Sequence, residues 1–109
     1  MSKDRLYLES IRDCLERIAD YTAAGESSFM TSGLIQDAVI RNLEVIGEAT
    51  KNLSPELRAA SPEIPWRQIA GMRDVLIHDY LRVNLARVWR TVAIDLPPLQ
   101  ETVLRLLQA

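Results

Sequence analysis

The sequence has little of what cross-links a small protein or places it in a membrane. It has one cysteine, Cys14, which excludes an internal disulfide and a zinc site built on cysteines and is typical of a reducing compartment. No apolar run approaches the roughly 20 residues that span a bilayer. Residues 1–5 lead into a charged segment without the pattern of a signal peptide. We therefore expect a cytoplasmic protein with no membrane span.

Glycine and histidine are also scarce. The four glycines form no Gly-rich phosphate loop, and the one histidine, His78, is not at zinc-ligand spacing from other candidate ligands. We therefore expect neither a cofactor nor a metal site.

The 109 residues, 48% hydrophobic and 26% charged, fit one domain, 1–109, with a core of its own. The net charge of −2 argues against a general nucleic-acid coat protein. Residues 66–90 nevertheless carry five arginines against two aspartates, a local excess of +3. Arginine forks match phosphate oxygens, although the same arginines would equally form solvated helix faces.

Apolar residues recur at three- and four-residue steps, which predicts an all-α protein. Helices are expected over about 4–23, 34–53, 66–80 and 85–107, with a loop at 24–28. Ser54-Pro55-Glu56 predicts a short further helix, since a capping hydroxyl, a first-turn proline and a carboxylate all favour a helix start. The simplest packing is an up-and-down four-helix bundle plus this short helix.

Other residues have ordinary structural interpretations. Asn84 is the expected cap of the last helix, and Pro97-Pro98 should kink or split that helix, because proline removes a backbone donor and clashes one turn back. Trp66 and Trp89 lie on apolar stripes and are expected in the core. The pair Glu44 and Glu48, one turn apart, is interpreted as part of a solvated helix face.

The segment Gly71–Tyr80 carries the residues best suited to chemistry. An imidazole gives and takes protons near neutral pH, and His78 is the only one in the chain. At about 100° per residue, His78 and Asp74 lie one turn apart on the polar side of the helix. Asp74 is therefore expected to orient the ring while the other ring nitrogen works. The alternative is an exposed histidine that merely pairs with Asp74.

Arg73 and His78 point about 140° apart on the same helical wheel, so one helix does not build a tight site from them. A single histidine also does not easily serve as both general base and general acid in one phosphoryl transfer. A two-fold dimer solves both problems, because it brings two copies of each residue to one interface. If His78 is catalytic, we expect a homodimer with a composite cleft.

The motif Arg73-x4-His78-x-Tyr80 resembles the R-x4-H-x-Y signature of HepT-like proteins, members of the HEPN superfamily. The segment 65–74 is similar to the run that leads into this motif in the family. The segment 42–49 resembles the family's second helix, and residues 4–8 resemble family N-termini. Together these segments cover most of the chain, in order and at compatible spacing.

The resemblance implies a HEPN-like helical homodimer that is the toxin of a toxin–antitoxin pair and acts as a metal-independent endoribonuclease, with Arg73 and His78 as catalytic residues. It implies a minimal nucleotidyltransferase of the MNT type as the antitoxin, which in some pairs transfers AMP to the motif tyrosine, here Tyr80. The position after the motif arginine is often Asn in the family and is Asp74 here. Its carboxylate would either weaken the approach of RNA or orient His78.

Several alternatives stay open. The chain could be a non-catalytic helical module that binds a nucleotide or docks a nucleotidyltransferase, or a bundle whose motif only packs. Tyr80 could be a half-buried aromatic that closes the apolar arc instead of an exposed acceptor of AMP. The resemblance of the second helix also leaves open a minor role for Glu44 and Glu48 in lining the cleft.

Overall fold

The computed structural model describes residues 2–78 and 82–109, and all regular structure within these ranges is helical. The α-helices are α1 (Ser2–Tyr21), α2 (Glu26–Thr31), α3 (Gly33–Lys51), α4 (Pro55–Ala60), α5 (Trp66–His78), α6 (Leu85–Arg90) and α7 (Leu96–Gln108), and a π-helical turn, Thr91–Asp95, joins the last two. The all-helical prediction is confirmed. Within the described ranges, no helix is long and apolar enough to cross a bilayer.

Side-chain caps start the helices where the sequence predicts. The Ser54 side chain accepts a hydrogen bond from the main-chain N–H of Leu57, at 3.2 Å, and begins α4. Asn84 accepts one from the main-chain N–H of Arg87, at 3.1 Å, and begins α6. Both predicted caps are confirmed, and each typically stabilises its helix by about 1 kcal/mol.

Contacts at one end of the molecule set the directions of the long helices. The carboxylate of Asp4, in the first turn of α1, accepts hydrogen bonds from Ser54, three residues after the end of α3. The Arg5 guanidinium donates to the main-chain oxygen of Leu107, in the last turn of α7. Glu63, in the segment before α5, forms an ion pair with Arg105, near the C-terminal end of α7. The starts of α1 and α5 therefore meet the ends of α3 and α7, as the expected up-and-down bundle requires.

The segment 24–28 differs from its prediction as a loop, because α2 begins within it. The ring of Phe29, fully buried, packs against Trp89 with the ring centroids 5.5 Å apart. Burial of one large aromatic side chain therefore holds a six-residue helix that local composition does not favour. Trp66 is buried in the core as expected, and Trp89 is half-buried at its edge.

The last long helix splits just before its two prolines. Pro97 and Pro98 lie in the first turn of α7. The carbonyls one turn earlier lose their usual donors, and the backbone there widens into the π-helical turn Thr91–Asp95. The split that the sequence predicts is therefore present, and the irregular backbone lies on the N-terminal side of the prolines.

The core lies between α3 and the helices that pack against it, α1 and α5. Helix α7 covers the other side of α1. The largest fully buried side chains come from α1, α2, α3 and α7: Ile11, Ile18, Phe29, Val39, Leu43, Ile46, Leu99 and Val103. This arrangement leaves the polar side of α5, which carries Asp74 and His78, on the surface.

Candidate active site

Helix α5 presents the motif on a surface because its other side is anchored in the core. Ile69 and Leu76 are buried against the bundle, and the buried indole Nε1 of Trp66 donates to the main-chain oxygen of Ser61 at 2.9 Å. Asp74 and His78 are exposed on the opposite side of the helix. The expected division of α5 into an apolar and a polar side is therefore confirmed.

Gly47 sets the position of Arg73 by bringing α3 and α5 into close contact. A Cβ atom at Gly47 would lie 3.0 Å from the main-chain nitrogen of Arg73 and 3.1 Å from both the Arg73 Cβ and the Ile69 oxygen. Such contacts are tighter than most Cβ atoms make, so a larger residue at this position would require α5 to shift by a few tenths of an ångström. The backbone of the motif arginine is thus pressed against α3 at the residue that precedes Glu48.

The guanidinium of Arg73 lies between two carboxylates. Its Nε is 3.5 Å from Oε1 of Glu48, and its Nη1 is 3.4 Å from Oδ1 of Asp74. The second oxygen of Glu48 accepts a hydrogen bond from Nδ2 of Asn52 at 3.4 Å. Glu48 therefore joins the site while its side chain stays 52% exposed, which fits both the predicted solvated helix face and the cleft-lining role that the resemblance left open. Its neighbour Gly47, which implies a close helix approach, was the available signal.

The imidazole of His78 is held by the backbone of α5. Its Nδ1 lies 2.7 Å from the main-chain oxygen of Asp74, one turn earlier. A carbonyl oxygen can only accept, so Nδ1 is the donor and Nε2 is left to exchange a proton. The expectation that the Asp74 carboxylate orients the ring differs from this geometry, since that carboxylate contacts Arg73. The physical reason is reach: the carbonyl one turn back lies directly beneath the ring.

Within one copy of the chain, the side chains of Arg73 and His78 contact different groups, since Arg73 pairs with Glu48 on α3 and His78 bonds to the backbone of its own helix. Arg73 borders an open cavity of about 300 Å³ between α1, α3 and α5, whose described lining includes Arg73 and Ile77 but not His78. The other described residues of this lining are Tyr7, Ser10, Arg41, Glu44, Val45, Glu48 and Ala49. The divergence expected from the helical wheel is therefore present in the structure.

Tyr80, the expected acceptor of AMP, lies outside the described residues. Burial raises the pKa of the Cys14 thiol, so this cysteine is a packed apolar residue and a poor nucleophile. Among the residues of 2–78 and 82–109, no three histidine, cysteine or acidic side chains group together in a way that could hold a metal ion.

An all-helical bundle that carries an Arg-x4-His motif on one helix is typical of a HEPN-type domain. Residues 11–106 match the model of the family described as ribonuclease HepT-like. The chain belongs to this family, within the HEPN superfamily. Membership places the chain among the endoribonucleases.

Relatives cover nearly the whole chain. A Methanocaldococcus jannaschii protein named gamma-glutamylcyclotransferase and putative RNase is 44% identical over 99% of this chain, which spans 50% of that relative's length. A protein of Caldanaerobacter subterraneus subsp. tengcongensis named putative RNase is 39% identical over 99% of this chain and 97% of its own. One of Thermococcus cleftensis named probable ribonuclease HepT is 44% identical over 86% of each chain. No solved structure matches the chain.

Proposed function

We propose that this chain is the toxin of a toxin–antitoxin pair and that it cleaves RNA, without a metal ion, in a cleft shared by two copies of the chain. The observation that carries this proposal is the divergence of the two motif residues on α5. His78 is exposed and hydrogen-bonds through Nδ1 to its own helix, whereas Arg73 is directed toward α3. A second copy related by a two-fold axis supplies the missing partner for each.

The mechanism uses the nucleophile that RNA itself provides. Nε2 of His78 in one copy takes the proton of the 2′-hydroxyl, whose oxygen attacks the adjacent phosphorus. His78 of the second copy protonates the leaving 5′-oxygen, so the products are a 2′,3′-cyclic phosphate and a 5′-hydroxyl. Arg73 binds the phosphate and stabilises the charge that gathers on its oxygens. Positioned acid–base groups of this kind contribute about 10²–10⁴-fold to a rate.

The charge distribution around α5 supports an RNA substrate. The arginines of segment 66–90 other than Arg73 are exposed: Arg67, Arg82, Arg87 and Arg90. They stand in a segment with a local excess of +3, although the whole chain carries −2. Exposed arginines of this kind bind phosphates along a strand, and the binding weakens as salt rises.

The antitoxin in this proposal is a minimal nucleotidyltransferase of the MNT type, and it transfers AMP to the hydroxyl of Tyr80. The hydroxyl oxygen attacks the α-phosphorus of ATP and pyrophosphate leaves. An AMP group two residues after His78 in the sequence adds negative charge and bulk, which oppose RNA. Mass spectrometry of the toxin after co-expression tests this step. An unmodified Tyr80, with toxicity still suppressed, would show that the partner acts by masking alone.

One observation favours a second function, a non-catalytic module that binds a nucleotide or docks the nucleotidyltransferase. The guanidinium of Arg73 already contacts two carboxylates, those of Glu48 and Asp74, and this trio has a formal charge of −1. A phosphate must compete with both. If the chain is a docking module, it should bind the nucleotidyltransferase without cleaving RNA. If it is a ribonuclease, it should bind this partner and also cleave RNA.

The deciding experiment measures cleavage of a short RNA by the purified chain in the presence of EDTA. Wild-type protein should cleave, and Arg73→Ala and His78→Ala should each lose at least about 100-fold in rate. The matched control is Arg105→Ala, because Arg105 is an exposed arginine that pairs with Glu63 away from the motif. Full activity of His78→Ala would reject the mechanism, and loss of wild-type activity in EDTA would reject metal independence.

A further inference from the structure

We propose that Glu48 is a positioning residue that fixes the guanidinium of Arg73 for phosphate binding. This inference rests on the proposed ribonuclease function. Glu48 is on α3, a different helix from the motif, and its Oε1 lies 3.5 Å from Nε of Arg73. It therefore acts on the reaction only through the arginine.

The Glu48 carboxylate is itself held in place. Its Oε2 accepts a hydrogen bond from Nδ2 of Asn52 at 3.4 Å, and the same Nδ2 donates to the main-chain oxygen of Glu48 at 2.8 Å. Asn52 is the C-terminal cap of α3, directly after its last residue. The result is a chain of contacts from the end of α3 through Glu48 to Arg73. A carboxylate with both oxygens engaged loses less side-chain freedom when it fixes a third group.

The two carboxylates contact different edges of the guanidinium. Glu48 contacts Nε, which leaves the terminal pair, Nη1 and Nη2, for the two oxygens of a phosphate. Asp74 lies 3.4 Å from Nη1, one nitrogen of that pair. Glu48 can therefore stay in place when a phosphate binds, whereas Asp74 competes with the phosphate for Nη1. This difference in geometry separates a residue that positions Arg73 from one that competes with its ligand.

The backbone adds a second restraint at the same point. Gly47 allows α3 to lie close to the main chain of Arg73, and the next residue, Glu48, therefore lies beside the arginine. The arginine is thus restrained at its backbone by packing and at its head by a carboxylate. A cationic group in a fixed orientation stabilises developing charge without first reorganising.

The test measures kcat and KM separately for Glu48→Gln on a short RNA. The amide keeps the shape but loses the charge, so we expect kcat to fall about tenfold because Arg73 is no longer fixed. KM should not rise, because a negative charge has left an anion-binding site. Glu48→Asp, which keeps the charge with a shorter reach, should recover part of the lost kcat. The matched control is Asp37→Asn, an exposed carboxylate on the same helix, which should leave both constants unchanged.

Each outcome decides between the proposals. A raised KM with normal kcat in Glu48→Gln, or normal values of both constants, would overturn the positioning role while RNA cleavage by wild-type protein still stands. No cleavage by wild-type protein would overturn the proposed function and, with it, this role. Thermal unfolding of the variants is the control for stability, and it should be unchanged because the Glu48 side chain is 52% exposed and does not belong to the core.

Discussion

Replacing Asp74 with asparagine should tighten RNA binding without slowing the chemical step. The change removes the carboxylate that lies 3.4 Å from Nη1 of Arg73. It keeps the main-chain oxygen that accepts the hydrogen bond from Nδ1 of His78. The imidazole therefore stays oriented, while the guanidinium loses a competitor for the phosphate.

The exposure of the pair limits the size of the effect. The side chains of Arg73 and Asp74 are 42% and 64% exposed, so solvent screens their attraction. Two unit charges at this distance attract by about 1 kcal/mol in water, and exposed pairs contribute about 0.2–1 kcal/mol. The dissociation constant for RNA should therefore fall by a factor of about 1.4 to 5 in Asp74→Asn. The gain should shrink toward 1 M salt, where the Debye length is about 3 Å.

The assay combines anisotropy titration of an RNA that carries 2′-deoxyribose at the cleaved position with single-turnover cleavage of the unmodified RNA. The matched control is Glu63→Gln, which removes a carboxylate 3.3 Å from Arg105, outside the site. It should change neither quantity. A tenfold loss of cleavage rate in Asp74→Asn with unchanged affinity would refute the reasoning, because it would mean that the carboxylate, and not the carbonyl, orients His78.

Two further changes should act on stability, measured by urea unfolding. Gly47→Ala should lower the free energy of unfolding by about 1–3 kcal/mol, because the new methyl meets backbone atoms of α5 at 3.0 Å. Gly71→Ala, whose methyl meets nothing within 4 Å, should raise the free energy of unfolding by about 0.4–1 kcal/mol. Equal losses of stability in the two variants would contradict the close approach of α3 and α5 at Gly47. The pKa of Asp4 lies below its ordinary 3.8, chiefly because the Ser54 hydroxyl donates a hydrogen bond to the carboxylate. The stability that this hydrogen bond contributes is full above pH 3.8 and is lost as the pH falls through the lower pKa of the folded state. Asp4→Asn should therefore lower the free energy of unfolding at neutral pH and leave it unchanged in stronger acid, whereas Glu16→Gln should have little effect at either pH.

Much of the fold could be predicted because it follows from local patterns. Apolar periodicity gives the long helices within a few residues, and cap residues such as Ser54 and Asn84 begin helices through contacts only three residues away. The polar side of α5 could be predicted for the same reason, since exposure follows from helical geometry once the apolar side is known.

The rest depends on contacts between distant parts of the chain. Helix α2 exists because Phe29 packs against Trp89, sixty positions later, and composition near Phe29 does not contain that information. The role of Glu48 is similar, because a helical wheel shows which side a residue takes but not which helix lies opposite. The sequence predicts that the Asp74 carboxylate orients His78, whereas the main-chain oxygen of Asp74 does so in the structure. The sequence does not separate the two, because both groups belong to the residue one turn before His78.

The central claim, that one site needs His78 from two copies, is tested most directly by mixed dimers. Wild-type and His78→Ala chains are denatured together, refolded in varied proportions, and assayed for RNA cleavage. If both imidazoles serve one reaction, activity should follow the square of the wild-type fraction and fall to about a quarter at equal mixing. A fall to about half, linear in the wild-type fraction, would show that each copy works alone and would contradict the composite site.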